Sequence, residues 1–290
     1  MQELRGRTAL VTGAAGGLGH YIARALAAEG VNLVLSDLPA ASVDDLIAEL
    51  EPLGVKVEWV PSDLTDTAEI ENFARAVEEA IGPLDILVNN AGVEFGKSFL
   101  DQTREELEQT TVINLLAVME LTRVVLPGMV ERRRGHVVNI ASIAGKVAVP
   151  LLASYAASKH GVVGFTHSVR AELGPEPVGM TVVCPTYISR AGMYGRLEHL
   201  LPDPPRELPP EPPEAVGEAV VRGIRENRAQ IIVANRITKV GTLLYAAAPK
   251  PFTRLLHRNR RVLEFSQLFA QAREQLDEQD PVDLHGSAQR

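Results

Sequence analysis

Short apolar runs rich in β-branched residues recur at Thr8–Thr12, Asn32–Ser36, Val55–Pro61, Ile86–Asn89, Val137–Ile140, Met180–Cys184 and Gln230–Val233. Each has the length of a strand, and its largely apolar character predicts burial on both faces rather than the alternation of a half-wet sheet. Between them, apolar positions return every three to four residues over Leu18–Glu29, Thr67–Ile81, Thr103–Arg132 and Leu151–Leu173, which predicts helices with one buried face. Strand and helix alternate, an order satisfied by right-handed crossovers onto a parallel sheet. The predicted fold class is α/β: a single domain built on a doubly wound parallel sheet of about seven strands, followed by a helical C-terminal extension.

Glycine and proline punctuate this pattern. Gly30, Gly54 and Gly82 follow helical segments, where a left-handed backbone costs glycine least. Pro202 to Pro213 holds seven prolines in twelve positions. No helix continues through such a run, so a stiff, extended excursion is expected before a helix that starts near Pro213. It closes a candidate substrate loop over about residues 187–213. The main domain spans 1–235, and the extension, 236–290, is basic and amphipathic before it turns acidic.

Composition narrows the function classes. With 290 residues, 46% hydrophobic, the chain can bury one large core. A net charge of -8 argues against general affinity for nucleic acid, which needs a surplus of Lys and Arg. One cysteine, Cys184, rules out an internal disulfide and a multi-cysteine metal site, and it fits a reducing compartment; no metal is predicted. The start, MQELRGRTALVTG, has no export-signal pattern, and no run of about 18 uncharged apolar residues occurs. A cytoplasmic protein is expected, free or attached peripherally to a membrane.

The first chemical signal is Gly13-Ala14-Ala15-Gly16-Gly17-Leu18-Gly19, lying directly between the first strand and the first helix. Glycines there let the backbone approach a diphosphate, and the helix start offers it free N–H groups and a partial positive charge. The sheet is therefore of Rossmann type, with Gly13, Gly17, Leu18 and Gly19 at the cofactor. Asp37 ends the second strand, eighteen residues beyond Gly19, at the distance expected of a carboxylate that binds the adenine ribose hydroxyls. Such a charge repels a 2′-phosphate, which favours NAD over NADP. Asp63 and Leu64, after the third strand, are candidates for the same end of the cofactor, although Asp63 could equally form a turn.

The second signal is Tyr155 with Lys159, four residues apart and so on one helical face. A tyrosine ionises near pH ~10, and bringing that to neutrality takes roughly 4 kcal/mol of phenolate stabilisation. Lys159 and an oxidised nicotinamide can each contribute to it, which suits Tyr155 to acid/base work on a hydroxyl or carbonyl.

Together these residues resemble the classical short-chain dehydrogenase/reductase family over roughly residues 5–235. The resemblance is carried by Thr12-Gly13-x-x-x-Gly17-x-Gly19, Asn89-Asn90-Ala91-Gly92 after the fourth strand, Asn114 in the next helix, Ser142 after the fifth strand, and Tyr155 with Lys159. It implies that Ser142 polarises the substrate oxygen, that Lys159 also contacts the nicotinamide ribose, and that Asn114 supports a proton relay. Asn90, Ala91 and Gly92 would border the cofactor. It also implies a homodimer or homotetramer built through the helices bearing Asn114 and Tyr155. One departure stands out: Thr186 follows Pro185 where the family has glycine. Pro185 and Ile188 remain expected cofactor contacts, and Ser189 is the candidate to bond the carboxamide.

The residues expected around the reacting carbon are Ile143, Val149, Leu151, Leu152, Tyr187, Met193 and Leu197. They are mostly apolar, which points to a lipophilic secondary alcohol or ketone. Glu94 either touches a polar substituent or is an exposed loop residue. Two further readings stay open: an NADPH-dependent ketone or acyl-thioester reductase, and a non-catalytic nucleotide sensor. Residues 236–263 hold seven Lys or Arg and no Asp or Glu. This segment either packs on the fold or a neighbouring subunit, or lies on an anionic membrane. Glu274 to Arg290 reads as a solvated tail.

Overall fold

The computed structural model describes residues 1–174, 177–205 and 208–279. Seven strands form one parallel sheet: β1 (Thr8–Thr12), β2 (Asn32–Ser36), β3 (Val57–Trp59), β4 (Ile86–Asn89), β5 (Gly135–Ile140), β6 (Val178–Pro185) and β7 (Gln230–Val233). Their order is β3-β2-β1-β4-β5-β6-β7, so the chain reverses direction across the sheet between β1 and β4. Register there pairs Ala9 with Ile86 and Val11 with Val88. A crevice opens at the carboxyl ends of strands on either side of such a switch, and ligands bind there.

Alternation along each strand splits the core in two. Ala9, Val11, Leu33 and Leu35 face one layer, with Ile22 and Leu26 of α1 (Gly17–Ala28), Leu46 and Leu50 of α2 (Asp44–Leu50), and Val216, Val220 and Ile224 of α8 (Glu214–Glu226). Leu10, Val34 and Leu87 face the other, with Phe73 and Val77 of α3 (Ile70–Ile81) and Leu121, Val125 and Met129 of α5 (Ala117–Glu131). Both faces are dry, which is why the strand segments read as apolar runs. The shortfall is at β3, which keeps three residues of the run from Val55 to Pro61. As an edge strand it pairs with β2 alone; beyond Trp59 the contact with that strand thins to Val60 N donating to Leu35 O at 3.0 Å and Ser62 N donating to Asp37 O at 2.9 Å.

The segment Thr103–Arg132 is not one helix. It divides into α4 (Arg104–Thr111), a π-helical turn at Val112–Leu116, and α5. The turn is held from outside: Asn114 Nδ2 donates to Val93 O at 2.8 Å, and Asn114 Oδ1 accepts from Val93 N at 2.8 Å. By length and apolarity Arg104–Glu131 could cross a bilayer, but its side chains build the core and the site described below.

A buried polar ladder locks α6 (Ala153–Leu173) to the sheet. Asn89 Nδ2 donates to Asn139 Oδ1 at 2.8 Å, and Asn139 Nδ2 donates to Thr166 Oγ1 at 2.9 Å. Such a network, once fully paired, fixes register more sharply than apolar packing does. Beyond the sheet come α7 (Gly192–Leu197) and, after β7, α9 (Arg236–Ala247), α10 (Pro249–Arg258) and α11 (Arg260–Gln279). Phe265, Phe269 and Ala272 of α11 pack with Tyr194 and Leu197 of α7 and with Tyr187. The proline-rich run makes one parallel bridge, Glu211 to Ile188, and delivers the chain to α8 through Pro213. The solvated tail expected over Glu274–Arg290 starts too early, because Glu274–Gln279 continue α11; residues 280–290 lie outside the described residues.

Candidate active site

The glycine turn has specific steric demands. Gly13 adopts φ +65°, and a Cβ on it would stand 2.8 Å from Ala91 Cα. At Gly17 a Cβ would meet Gly192 N at 2.7 Å, and at Gly19 it would overlap the Gly13 carbonyl oxygen. Only a bare backbone brings α1, β4 and the substrate loop this close. Helix α1 is preceded at its N-cap by Gly16, which offers no side-chain cap, and has no acidic residue in its first turn, so its leading N–H groups stay available to an anion.

Asp37 sits beside this turn, with Oδ2 accepting from Ala15 N at 2.9 Å and Oδ1 from Leu38 N at 2.9 Å. Asp63 also lines the crevice, and its Oδ1 accepts from Thr65 N at 2.9 Å and Oγ1 at 2.7 Å, the geometry of a turn former. Asn90 is a brace: its Nδ2 donates to Thr12 O at 2.9 Å and Gly13 O at 3.0 Å.

At the other end of the crevice, Tyr155 and Lys159 share a face of α6. Lys159 Nζ lies 5.6 Å from the Tyr155 ring centre and donates to Ile140 O at 3.0 Å. Ser142, just beyond the carboxyl end of β5, accepts from Ala144 N at 3.1 Å and lines the same cavity as the Tyr155 phenol. Burial pushes the Tyr155 phenol above its ordinary range; the Ser142 hydroxyl acts to lower it, and Glu94 pushes it up. Burial lowers Lys159 to about 8, leaving it mostly charged at neutral pH. Asn114 is wholly buried behind Gly92, where a Cβ would meet Asn114 Oδ1 at 3.0 Å and Lys159 Nζ at 3.4 Å. Cys184 is buried on β6, and burial raises its thiol to about 12, so it stays neutral.

One cavity of about 1350 Å³ joins these two ends. That exceeds the usual ~300–1,000 Å³ of a single-ligand pocket, leaving room for a second molecule beside a cofactor. Its wall includes Gly13, Gly17, Leu18, Asp37, Asp63, Leu64, Asn90, Ala91, Gly92, Ser142, Tyr155, Lys159, Pro185 and Ile188. Gly19 and Asn114 are not part of that wall. Gly19 is a packing position beneath Gly13, and Asn114 reaches the site through Val93 and Gly92.

Several expectations at the substrate end need correction. Ile143, Val149, Leu152, Tyr187 and Met193 line the cavity, but Leu197 belongs to the cluster beneath α11, and Leu151, at φ +66°, turns toward a small neighbouring void. Ser189 is not on the wall: its hydroxyl donates to Glu211 O at 3.4 Å because the bridge at Ile188 draws this stretch toward the proline run. Glu94 is no exposed loop residue; it is 3% exposed and lines the cavity. Tyr194, and Val262, Ser266, Phe269 and Arg273 of α11, complete the wall. The spacing of Phe265, Phe269 and Ala272 marks a buried helical stripe, but nothing local tells where that stripe docks. Gly96 lets α11 approach Glu94: a Cβ there would lie 2.9 Å from Glu94 Oε1, 3.6 Å from Ala270 Cα and 3.8 Å from Arg273 Cβ.

The residues suit a dinucleotide: bare glycines at the helix start, a carboxylate at one end, and a lysine–tyrosine pair at the other. Thr186 adds an independent sign. It is 9% exposed, lines the cavity, and its Oγ1 has no hydrogen-bond partner among the described residues. A buried hydroxyl left unpaired is costly unless a ligand completes it.

Comparison with known proteins agrees. A family model described as short chain dehydrogenase matches residues 7–199. The chain is 38% identical over 248 residues to Ketoacyl reductase HetN of Nostoc sp., covering 85% of each. A short chain dehydrogenase/reductase from Burkholderia phymatum, solved in complex with NAD, superposes with a TM-score of 0.75 at 26% identity, over 86% of this chain and 96% of that one. A variant of actinorhodin polyketide ketoreductase with NADPH superposes with a TM-score of 0.72 at 31% identity, over 82% and 99%. The chain therefore belongs to the classical short-chain dehydrogenase/reductase family, oxidoreductases that move a hydride between a nicotinamide dinucleotide and a small molecule.

Proposed function

We propose that this protein interconverts a lipophilic secondary alcohol and its ketone, with NAD(H) as the preferred cofactor and Tyr155 as the acid/base. The observation that carries the chemistry is the convergence of Ser142, the Tyr155 phenol and the Lys159 ammonium, 5.6 Å from the ring centre, on the wall of one mostly apolar cavity. The nicotinamide supplies or accepts the hydride when bound. In the reducing direction Ser142 donates a hydrogen bond to the ketone oxygen and Tyr155 gives it a proton as the carbon gains the hydride. Lys159 stabilises the phenolate left behind. In oxidation the same groups run in reverse, and the phenolate removes the hydroxyl proton.

The cofactor preference rests on Asp37. Its carboxylate is already oriented by Ala15 N and Leu38 N, and a 2′-phosphate beside it would meet a like charge. Asp37→Asn keeps an acceptor for Ala15 N but removes the charge. The ratio of kcat/KM with NAD(H) to that with NADP(H), measured across a panel of alcohols and ketones, should fall at least about ten-fold in that variant, the size of a 1.4 kcal/mol change. An unchanged ratio would mean that Asp37 does not read the ribose.

A second reading, an NADPH-dependent ketone or acyl-thioester reductase, draws on the names of HetN and of the polyketide ketoreductase. The same cofactor ratio decides between them, with wild-type preference for NADPH favouring the second.

The cofactor also accounts for Thr186. Thr186→Val removes the unpaired hydroxyl at nearly constant volume. The ligand-free protein is expected to melt at the same temperature or higher, while the affinity for NADH falls roughly three- to ten-fold, the worth of one hydrogen bond. Unchanged NADH affinity would assign Thr186 to the substrate instead.

A further inference from the structure

Helix α9 is folded inside out. Thr238 and Thr242, at 8% and 3% exposure, form its inner face, whereas Ile237, Val240, Leu243 and Leu244 are between 54% and 70% exposed. The inner threonines are accounted for: Thr238 N donates to Asn235 Oδ1 at 2.8 Å, and Thr242 Oγ1 donates to Lys239 O at 2.8 Å. A contiguous apolar face of this kind marks a surface that something covers. Exposed cations accompany it, Arg236 and Lys239 on α9 and Lys250, Arg254 and Arg258 on the adjoining α10, within a stretch that has no acidic residue.

The same face borders the cavity. Ile237, Val240 and Leu244 line it while remaining open to solvent, so they mark its mouth. Phe252 of α10 lines it too. At twelve and ten residues, α9 and α10 are too short to span a bilayer, which takes about 20 residues. They have the length and composition of helices that lie in its surface.

We propose that the α9–α10 face docks on an anionic lipid bilayer and that the cavity mouth opens into that bilayer. Two observations favour lipid over a second copy of this chain. The cations complement a negative surface, and a rigid protein seated on Ile237, Val240 and Leu244 would cover the mouth that a fluid hydrocarbon layer would feed. The entry route rests on the lipophilic-substrate reading, whereas the docking does not. Vesicle binding and the alcohol screen can therefore fail separately.

The test is sedimentation of the full-length protein with vesicles of phosphatidylcholine alone, or with an equal part of phosphatidylglycerol. Mixed vesicles are expected to carry down the protein at least about ten-fold better, with the advantage shrinking as salt rises, since each surface cation is worth roughly five-fold in partitioning. The double reversal Lys239→Glu/Arg254→Glu should abolish most of that advantage. Leu243→Glu, which changes the apolar face without touching the cavity wall, should weaken binding by about ten-fold. Retained NADH binding and an unchanged melting temperature verify that each variant is folded. Absence of wild-type binding to the mixed vesicles, or equal binding by the variants, overturns the proposal. If the variants instead lower the mass seen by light scattering while vesicle binding stays flat, the face belongs to a second copy and the lipid proposal falls.

Discussion

Tyr155→Phe is expected to lower turnover by about 10³-fold, within the ~10²–10⁴ range of general acid/base catalysis, and to leave the affinity for NADH within about three-fold. The ring is buried and remains, so packing in α6 survives, and Lys159 keeps its bond to Ile140 O. What disappears is the phenol oxygen, which exchanges the proton. NADH titration and steady-state turnover on the same preparation separate the two effects. Near-normal turnover would remove Tyr155 from the chemistry. The pH profile of the wild type carries a second signature. Lys159, lowered to about 8 by burial, is charged below that pH and loses its charge above it. The stabilisation it gives the phenolate is therefore present at neutral pH and fades as the pH rises through about 8. Ketone reduction should hold up to that point and then decline, because Tyr155 becomes a weaker acid once the ammonium is gone.

The second large effect is expected at Gly19. Its missing side chain faces the Gly13 carbonyl oxygen and Ala14 Cα, the latter 2.7 Å from where a Cβ would stand. These are backbone atoms of the turn itself, so no rotamer change can relieve Gly19→Ala. Either α1 tilts away or the turn opens, and both misplace the N–H groups at the helix start. Loss of NADH affinity by about 100-fold or more is expected, with a clear fall in melting temperature, because strain of this kind costs several kcal/mol. Gly164→Ala is the matched control. It lies inside α6 with nothing within 4 Å of a Cβ, and replacing an interior helical glycine should stabilise by about 0.5–1 kcal/mol. If both variants bind NADH like the wild type, the tight approach at Gly19 does not govern the site.

Gly19 and Tyr155 act through neighbours a few residues away in the chain, and short-range spacing exposes such relations to a reader of the sequence. The strands are legible for the same reason, since sheets dry on both faces leave continuous apolar runs. The break at Val112–Leu116 is not. It depends on Val93, twenty-one residues before Asn114, and the helical periodicity of Thr103–Arg132 runs through it undisturbed. Glu94 misleads in the opposite sense, because a glutamate after a glycine-bearing turn reads as solvated, whereas it is buried on the cavity wall with Tyr155, Tyr187 and α11 residues from far along the chain. Ser189 reads as available to the cofactor, yet its partner is Glu211, across the proline run. In each case the missing information is a contact between distant segments.

The cavity wall runs from Thr12 to Arg273, and its two ends are therefore made at different times. When β6 leaves the ribosome, the glycine turn, Asp37, Ser142, Tyr155 and Lys159 have all been synthesised. Arg273 follows only after nearly ninety more residues, about 4–18 seconds later at common translation rates. A nascent chain thus carries its reacting groups, together with Ile143, Val149 and Leu152 of the substrate wall, before the part of that wall supplied by α9 to α11 exists. The same separation lets inheritance revise the late segment alone, changing what enters the cavity without disturbing the groups that react inside it.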